Sequence, residues 1–432
     1  MRPSPRTGWL VVGALAVMHG LTGMAAFYGL PIYLEALTRE GRFTSGQVAG
    51  ATAMYFVMMA VWSVPVGQLV LRWRLGGVVL LGSVTFALAQ VLLALSPSLA
   101  GLWLAYVLLA FASVACGPVP ATALVLRWFP IVARQQVSVV ISGQSLFGAL
   151  LTPVLASMVL TRGFAPVMLV NAALHLVVVG LVVGGICWRH DRPREITGCR
   201  TGVVAPSRGE RPGSRRARRR DAPGAMRSRR PGADRYRPLM VWLSVMALAG
   251  FIGLNGALTH IYVFASERRI PAAVAVMSVI AGTALLYRIA FTALPRIGPW
   301  ALGLVLHVAV LCTLLAFQLV QSSMALLLSA AVLGMSAAVA PLVVPLMVAE
   351  FTSADGFTGR AAVVSTFSSA GSAIGVYFVE VIRSASSYEV AFAVLIMPTL
   401  IGLAALFALR RYIPTSAARI HQERIPPGIP PG

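Results

Sequence analysis

The chain has 432 residues, of which 58% are hydrophobic and only 11% charged, with a mean hydropathy of +0.83. A soluble protein carries roughly 25% charged residues, so most of this chain faces lipid or other helices rather than water. The formal net charge of +22 does not make a nucleic-acid interface, because the basic residues form no folded face with interleaved aromatics. Four scattered cysteines (Cys116, Cys187, Cys199 and Cys312) give neither a disulfide framework nor a metal site, and no cofactor is expected.

In chain order, a short basic N-terminus precedes an apolar run over 9–37. That run is far longer than the roughly 7–15 residues of a signal-peptide core, so it is read as a retained first span. With about 20 apolar residues per crossing, spans are predicted at 9–37, 47–71, 76–96, 100–126, 136–160 and 165–188. Six more follow at 238–265, 271–294, 297–318, 322–349, 360–383 and 388–411. Between the two sets, residues 189–237 hold 16 arginines against five acids, interleaved with Gly, Pro and Ser. With no apolar periodicity, this stretch is predicted to be a disordered linker. The expected fold is an all-α polytopic membrane protein of two pseudo-symmetric six-helix halves, 1–188 and 238–411, with a tail at 412–432.

Every basic residue is arginine. Outside the linker, twelve arginines fall on the N-terminal side of the membrane and six on the other. The positive-inside rule therefore places both termini, the linker and the tail in the cytoplasm of a multi-pass inner (plasma) membrane protein. The linker's charge would favour anionic lipids.

The halves also read as repeats. The first span ends Gly29-Leu30-Pro31-Ile32-Tyr33-Leu34, and the seventh ends Ala257-Leu258-Thr259-His260-Ile261-Tyr262-Val263. Gly117-Pro118 and Pro120 in the fourth span are matched by Pro341 and Pro345 in the tenth. Ser142-Gly143 and Gly148 in the fifth are matched by Ala370-Gly371 and Gly375 in the eleventh. Repeats in this order predict a substrate site between the halves, near the midplane.

These features resemble the major facilitator superfamily, whose signature after the second span runs Gly-x-Leu-x-Asp-Arg-x-Gly. Here Gly67, Leu69 and Arg72 match, Leu71 stands where the Asp belongs, Gly76 and Gly77 follow a little further on, and Arg296 is what remains of the equivalent in the second half. Gly117-Pro118-Val119-Pro120, Arg127-Trp128-Phe129-Pro130 and Ser387-Tyr388-Glu389-Val390-Ala391-Phe392 are similar to the bacterial branch of monocarboxylate porters and oxalate–formate exchangers. The resemblance implies a gate at Gly67, Arg72, Gly76 and Arg296. It also implies an arginine on the eighth span that pairs with a substrate carboxylate, and Arg288 occupies the matching place.

Arg288 is the leading candidate on physical grounds as well. A charge within a span costs at least ~2.5–3.5 kcal/mol and is usually retained for function, and a guanidinium grips a carboxylate bidentately. The competing reading is that it snorkels to the headgroups. His260 and Asn255 lie five residues apart on the seventh span. His260 suits a proton relay and equally a hydrogen-bonded structural role. Tyr28 and Gln144 are candidates for substrate contact or for packing. Glu380 and Arg383 fit an i,i+3 ion pair.

Three function classes compete. A secondary transporter of a small organic anion, proton-coupled and working as a symporter, fits the buried positive charge. An exporter of amphipathic cations or drugs would want a deep carboxylate. The third class is a polytopic membrane enzyme or receptor, and an enzyme would want HExxH, GxSxG or paired aspartates, none of which the sequence contains.

Overall fold

The structure is a computed structural model that describes residues 5–95, 98–129, 133–190, 233–293, 297–351 and 354–412. The predicted linker falls almost wholly outside the described residues, as do Arg296 and residues 413–432 of the tail. The described residues are helical, with twelve helices long and apolar enough to cross a membrane. They are α1 (Thr7–Tyr28), α2 (Ser45–Val70), α3 (Leu75–Leu95), α4 (Leu99–Val125), α5 (Gln136–Arg162) and α6 (Phe164–His190). The second set is α7 (Pro238–Glu267), α8 (Ala273–Phe291), α9 (Pro299–Phe317), α10 (Ser323–Val348), α11 (Arg360–Ala385) and α12 (Tyr388–Tyr412). Eleven lie within a few residues of the span read from the sequence; the first, read as 9–37, ends at Tyr28, and a separate helix over Leu30–Arg39 carries the chain on.

Helix ends follow local chemistry. Thr44 caps α2 through a full capping box, its hydroxyl accepting from the Gln47 amide while the Gln47 side chain accepts from the Thr44 amide. Ser98 and Ser387 cap α4 and α12. Large apolar side chains such as Leu286, Leu181 and Met397 remain exposed on the outer faces, as a lipid-facing surface requires.

The two halves repeat one packing plan. In the first, α1 lies against α5, and in the second, α7 lies against α11. The glycine pairs noticed in the sequence set these contacts. A Cβ on Gly143 would stand 2.2 Å from the Ala16 carbonyl oxygen of α1. One on Gly371 would stand 2.2 Å from that of Leu248, and one on Gly375 the same distance from that of Ile252, both on α7. Only glycine lets backbones approach this closely. The halves then meet along two equivalent seams, α5 with α8 and α2 with α11. The continuation of α1 over Leu30–Arg39 also packs on α7.

Two irregularities position side chains. Residues Met24–Tyr28 of α1 form a π-helical turn, which inserts extra residues into the spiral and rotates everything beyond it. The prolines of α4 and α10 act differently. At Gly117 the backbone turns extended (φ −93°, ψ −165°), so α4 breaks into Leu99–Ala115 and Pro118–Trp128. In contrast, α10 stays helical through Pro341 and Pro345. A proline carries no N–H, so Pro341 leaves the Ala337 carbonyl without its helical donor.

Candidate functional site

A cavity of about 290 Å³ lies between the halves, a volume suited to a small solute rather than a large one. The first half contributes His19, Thr22 and Tyr28 from α1, Tyr55 from α2, Ser113 and Pro118 from α4, and Ile141 and Gln144 from α5. The second contributes Asn255 from α7, Arg288 from α8, Ala337 and Pro341 from α10, and Ser368, Ser369 and Ser372 from α11. Aromatic and aliphatic side chains fill the rest. Among the described lining residues there is no Asp or Glu.

Arg288 dominates this space. It is 3% exposed and does not extend toward the end of α8. One terminal nitrogen donates to the Ile141 carbonyl at 2.9 Å and to the Ser145 hydroxyl at 3.1 Å, both on α5 of the other half. The other donates to Ala337 at 3.4 Å, the carbonyl that Pro341 orphans, and Nε donates to Ala338 at 3.4 Å. The proline of α10 thus creates the acceptor that the arginine of α8 fills. All these partners are neutral, and among the described residues no carboxylate pairs with Arg288.

Of the other sequence candidates, Tyr28, Gln144 and Asn255 line the same cavity. Tyr28 is buried, and its ring lies where a Cβ on Gly148 would press, 2.5 Å from Cδ2. Gln144 lies flat over Gly23, whose missing side chain leaves room for it. The Asn255 amide nitrogen donates to the Ser372 hydroxyl at 3.0 Å. His260 is not brought to the cavity. It is fully buried, with Nε2 at 2.9 Å from the Val376 carbonyl of α11 and Nδ1 at 3.4 Å from the Tyr388 hydroxyl of α12.

Two residues without a local motif belong to the site: His19 lines the cavity, and Ser145 accepts a hydrogen bond from Arg288 beside it. His19 and Tyr28 stand two and a half turns apart, on opposite faces of a straight α-helix, and the π-helical turn between them brings both to the cavity.

At one end of the bundle a second polar group joins the halves. Arg383 holds Glu380 at 2.9 and 3.1 Å, the i,i+3 pair expected from the sequence. It also reaches Glu267 of α7 at 3.2 Å and the Ser45 hydroxyl of α2 at 2.6 Å. Ser45 donates to Glu380 in turn, and Ser266 of α7 donates to Glu35 beyond α1 at 3.0 Å. Glu380 is only 2% exposed.

A family model described as the Major Facilitator Superfamily matches residues 13–323, well over half the chain. The chain belongs to the major facilitator superfamily. No curated protein sequence matches this facilitator significantly. Solved structures share its fold at low identity. A bacterial homologue of the human lysosomal transporter Spinster, inward-facing and unoccupied, aligns at TM-score 0.68 and 15% identity, over 99% of this chain and 100% of that one. A POT family transporter in complex with 5-aminolevulinic acid aligns at TM-score 0.66 and 14% identity, over 92% and 96%. A POT family transporter with a thioalcohol-conjugated peptide aligns at 0.68 and 13%, over 92% and 96%. The facilitator is accordingly a multi-pass membrane transporter and not an enzyme.

Of the residues expected from the sequence to form a gate, Gly67 is half-buried and Arg72 is exposed just past α2. Gly76 is buried against α6, where a Cβ would lie 2.6 Å from the Gly184 carbonyl oxygen and from Trp188.

Proposed function

We propose that this facilitator moves a small organic monoanion of the monocarboxylate type by alternating access, with Arg288 as the anion's counter-ion. One observation carries the reading: a guanidinium buried beside an inter-half cavity, satisfied by carbonyls and a hydroxyl but by no carboxylate. Desolvating an unpaired charge is expensive, and a fold retains such a charge where a ligand of opposite sign completes it. Tyr28 and Gln144 extend the polar wall around it. The resemblance to monocarboxylate porters points the same way.

Coupling to protons is part of the reading. His19 lines the cavity and carries the transferable proton in this scheme. His260, with both ring nitrogens engaged between α7, α11 and α12, serves packing. The chain sits in the inner (plasma) membrane with both termini and the arginine-rich linker in the cytoplasm, where the linker meets anionic lipid.

The solved peptide-transporter relatives suggest a second substrate class, solutes with an amino group, and the superfamily's drug exporters suggest amphipathic cations. A cavity with no acidic side chain among its described lining residues disfavours both. The test is binding of a carboxylic-acid panel to purified protein, followed by uptake into proteoliposomes with and without a pH gradient. Carboxylates should stabilise the wild type thermally, and Arg288→Ala should weaken binding by about one to two orders of magnitude. His19→Gln should reduce the pH dependence of uptake more than His260→Gln does. Wild-type affinity in Arg288→Ala overturns the anion reading.

A further inference from the structure

Asn255 offers the cavity something its neighbours do not. It is 2% exposed, its amide nitrogen is engaged, and its Oδ1 is buried with no hydrogen-bond partner among the described residues. The orientation of that amide is fixed by its surroundings. The Ser372 hydroxyl spends its hydrogen on the Ser368 carbonyl at 2.9 Å, so toward Asn255 it presents only a lone pair. A lone pair must meet the Nδ2 donor and not the carbonyl oxygen. Ser368, Ser372 and Asn255 thus form a relay across α11 and α7 that leaves one strong acceptor unspent at a cavity-lining position.

An unsatisfied buried acceptor is costly, and inside a binding site it selects for a ligand group that donates to it. Two kinds of donor exist, charged and neutral. An ammonium group needs a nearby carboxylate to offset its desolvation, and among the described residues the cavity lining supplies none. A neutral hydroxyl or amide N–H needs only the single acceptor that Asn255 supplies.

We infer that Asn255 is a specificity-determining residue, and that the transported anion carries, besides its carboxylate, a neutral hydrogen-bond donor and no amino group. The inference rests on the anion reading above, with Arg288 holding the carboxylate. Hydroxy acids and N-acylated acids fit this description. Unsubstituted short carboxylates leave Oδ1 empty, and amino acids bring a charge the cavity does not balance. Ser372 is a positioning residue, because it acts only by holding the amide in this orientation.

The test uses full-length protein in nanodiscs and matched ligands that differ in one group: butyrate, its 2-, 3- and 4-hydroxy derivatives, the corresponding amino derivatives, and N-acetylglycine. In the wild type at least one hydroxylated or acylated acid should bind roughly tenfold tighter than butyrate, and the amino derivatives should bind weakest. Asn255→Leu should erase the advantage of the hydroxyl, bringing the ratio of hydroxy-acid to butyrate affinity to about one. Asn255→Asp should bring the amino derivatives in. Ser372→Ala, which frees the amide to turn, should narrow the preference without abolishing butyrate binding. Equal affinity of the wild type for butyrate and for every donor-bearing acid overturns the inference and leaves the anion reading intact. So does an Asn255→Leu protein that weakens all ligands alike while retaining wild-type thermal stability. If no carboxylate binds the wild type, the anion reading fails and this inference fails with it.

Discussion

Arg288 and Arg383 lie in the same half of the chain and answer the same physical problem in opposite ways. Arg383, at one end of the bundle, is surrounded by Glu380, Glu267 and the Ser45 hydroxyl, and its charge is balanced within the fold. Arg288, beside the cavity, is more deeply buried and, among the described residues, donates to carbonyl oxygens and the Ser145 hydroxyl with no carboxylate partner. Each guanidinium makes four hydrogen bonds, while charge is balanced in only one of the two places. A charge neutralised internally is structural, and one left over is available to a ligand.

The contrast breaks first on ligand affinity. Arg288→Ala should cost about 1.5–3 kcal/mol of carboxylate binding, and Arg288→Lys should fall in between, because it keeps the charge and loses the bidentate fork. Arg383→Ala should leave intrinsic affinity within about threefold. Equilibrium binding on variants matched for folding decides it, and equal losses at the two arginines would erase the distinction.

Stability without ligand should run the other way. Glu380→Gln, which strips the charge partner from Arg383, should destabilise the protein by roughly 1–3 kcal/mol. Arg288→Met removes an uncompensated charge along with its hydrogen bonds, so it should leave the melting temperature unchanged or raised. Thermal unfolding in one detergent provides both numbers. A smaller effect is expected at Ser45→Ala, about 0.5–1.5 kcal/mol for the loss of bonds between α2 and α11. Distance measurements between spin labels on the two halves should show that end of the bundle opening more often. The weakest of the series is the exposed pair of Arg268 and Glu389. Glu389→Gln should change stability by no more than about 1 kcal/mol, and by less as salt is added.

How much of this was legible in the sequence depended on whether the signal was local. Span positions were, because hydropathy and the roughly 20-residue crossing length leave few choices. The glycines of α5 and α11 were visible as a repeat, and their task of admitting the Ala16 and Leu248 carbonyls matches the small-residue rule. Arg288 stood out as a charge inside a span. The rest depended on contacts distant in sequence. Nothing near Pro341 announces that its orphaned carbonyl faces Arg288, some 50 residues earlier. Glu380 and Arg383 looked like a pair confined to one helix until Ser45 joined them from the other half. His260 sat in a suggestive place on α7, but its side chain turns to Val376 and Tyr388 rather than to the cavity. The π-helical turn of α1, which brings His19 and Tyr28 together, has no signature in MAAFY that periodicity would detect.

The glycine contacts also have a mechanical consequence. Where Gly143 meets Ala16, and where Gly371 and Gly375 meet Leu248 and Ile252, main chain rests on main chain with no cushion of side chains to repack. Such joints can neither slide by a helical turn nor roll without collision, so each behaves as a rivet. The rivets fasten α1 to α5 and α7 to α11, and none of these three joins one half to the other. A rearrangement that exposes the cavity alternately to the two sides therefore leaves the riveted pairs intact and takes its strain at the seams of α5 with α8 and α2 with α11. Those seams are held by side chains, Arg288 on one and Ser45 with Arg383 on the other, and side chains can change partners within the time of a transport cycle.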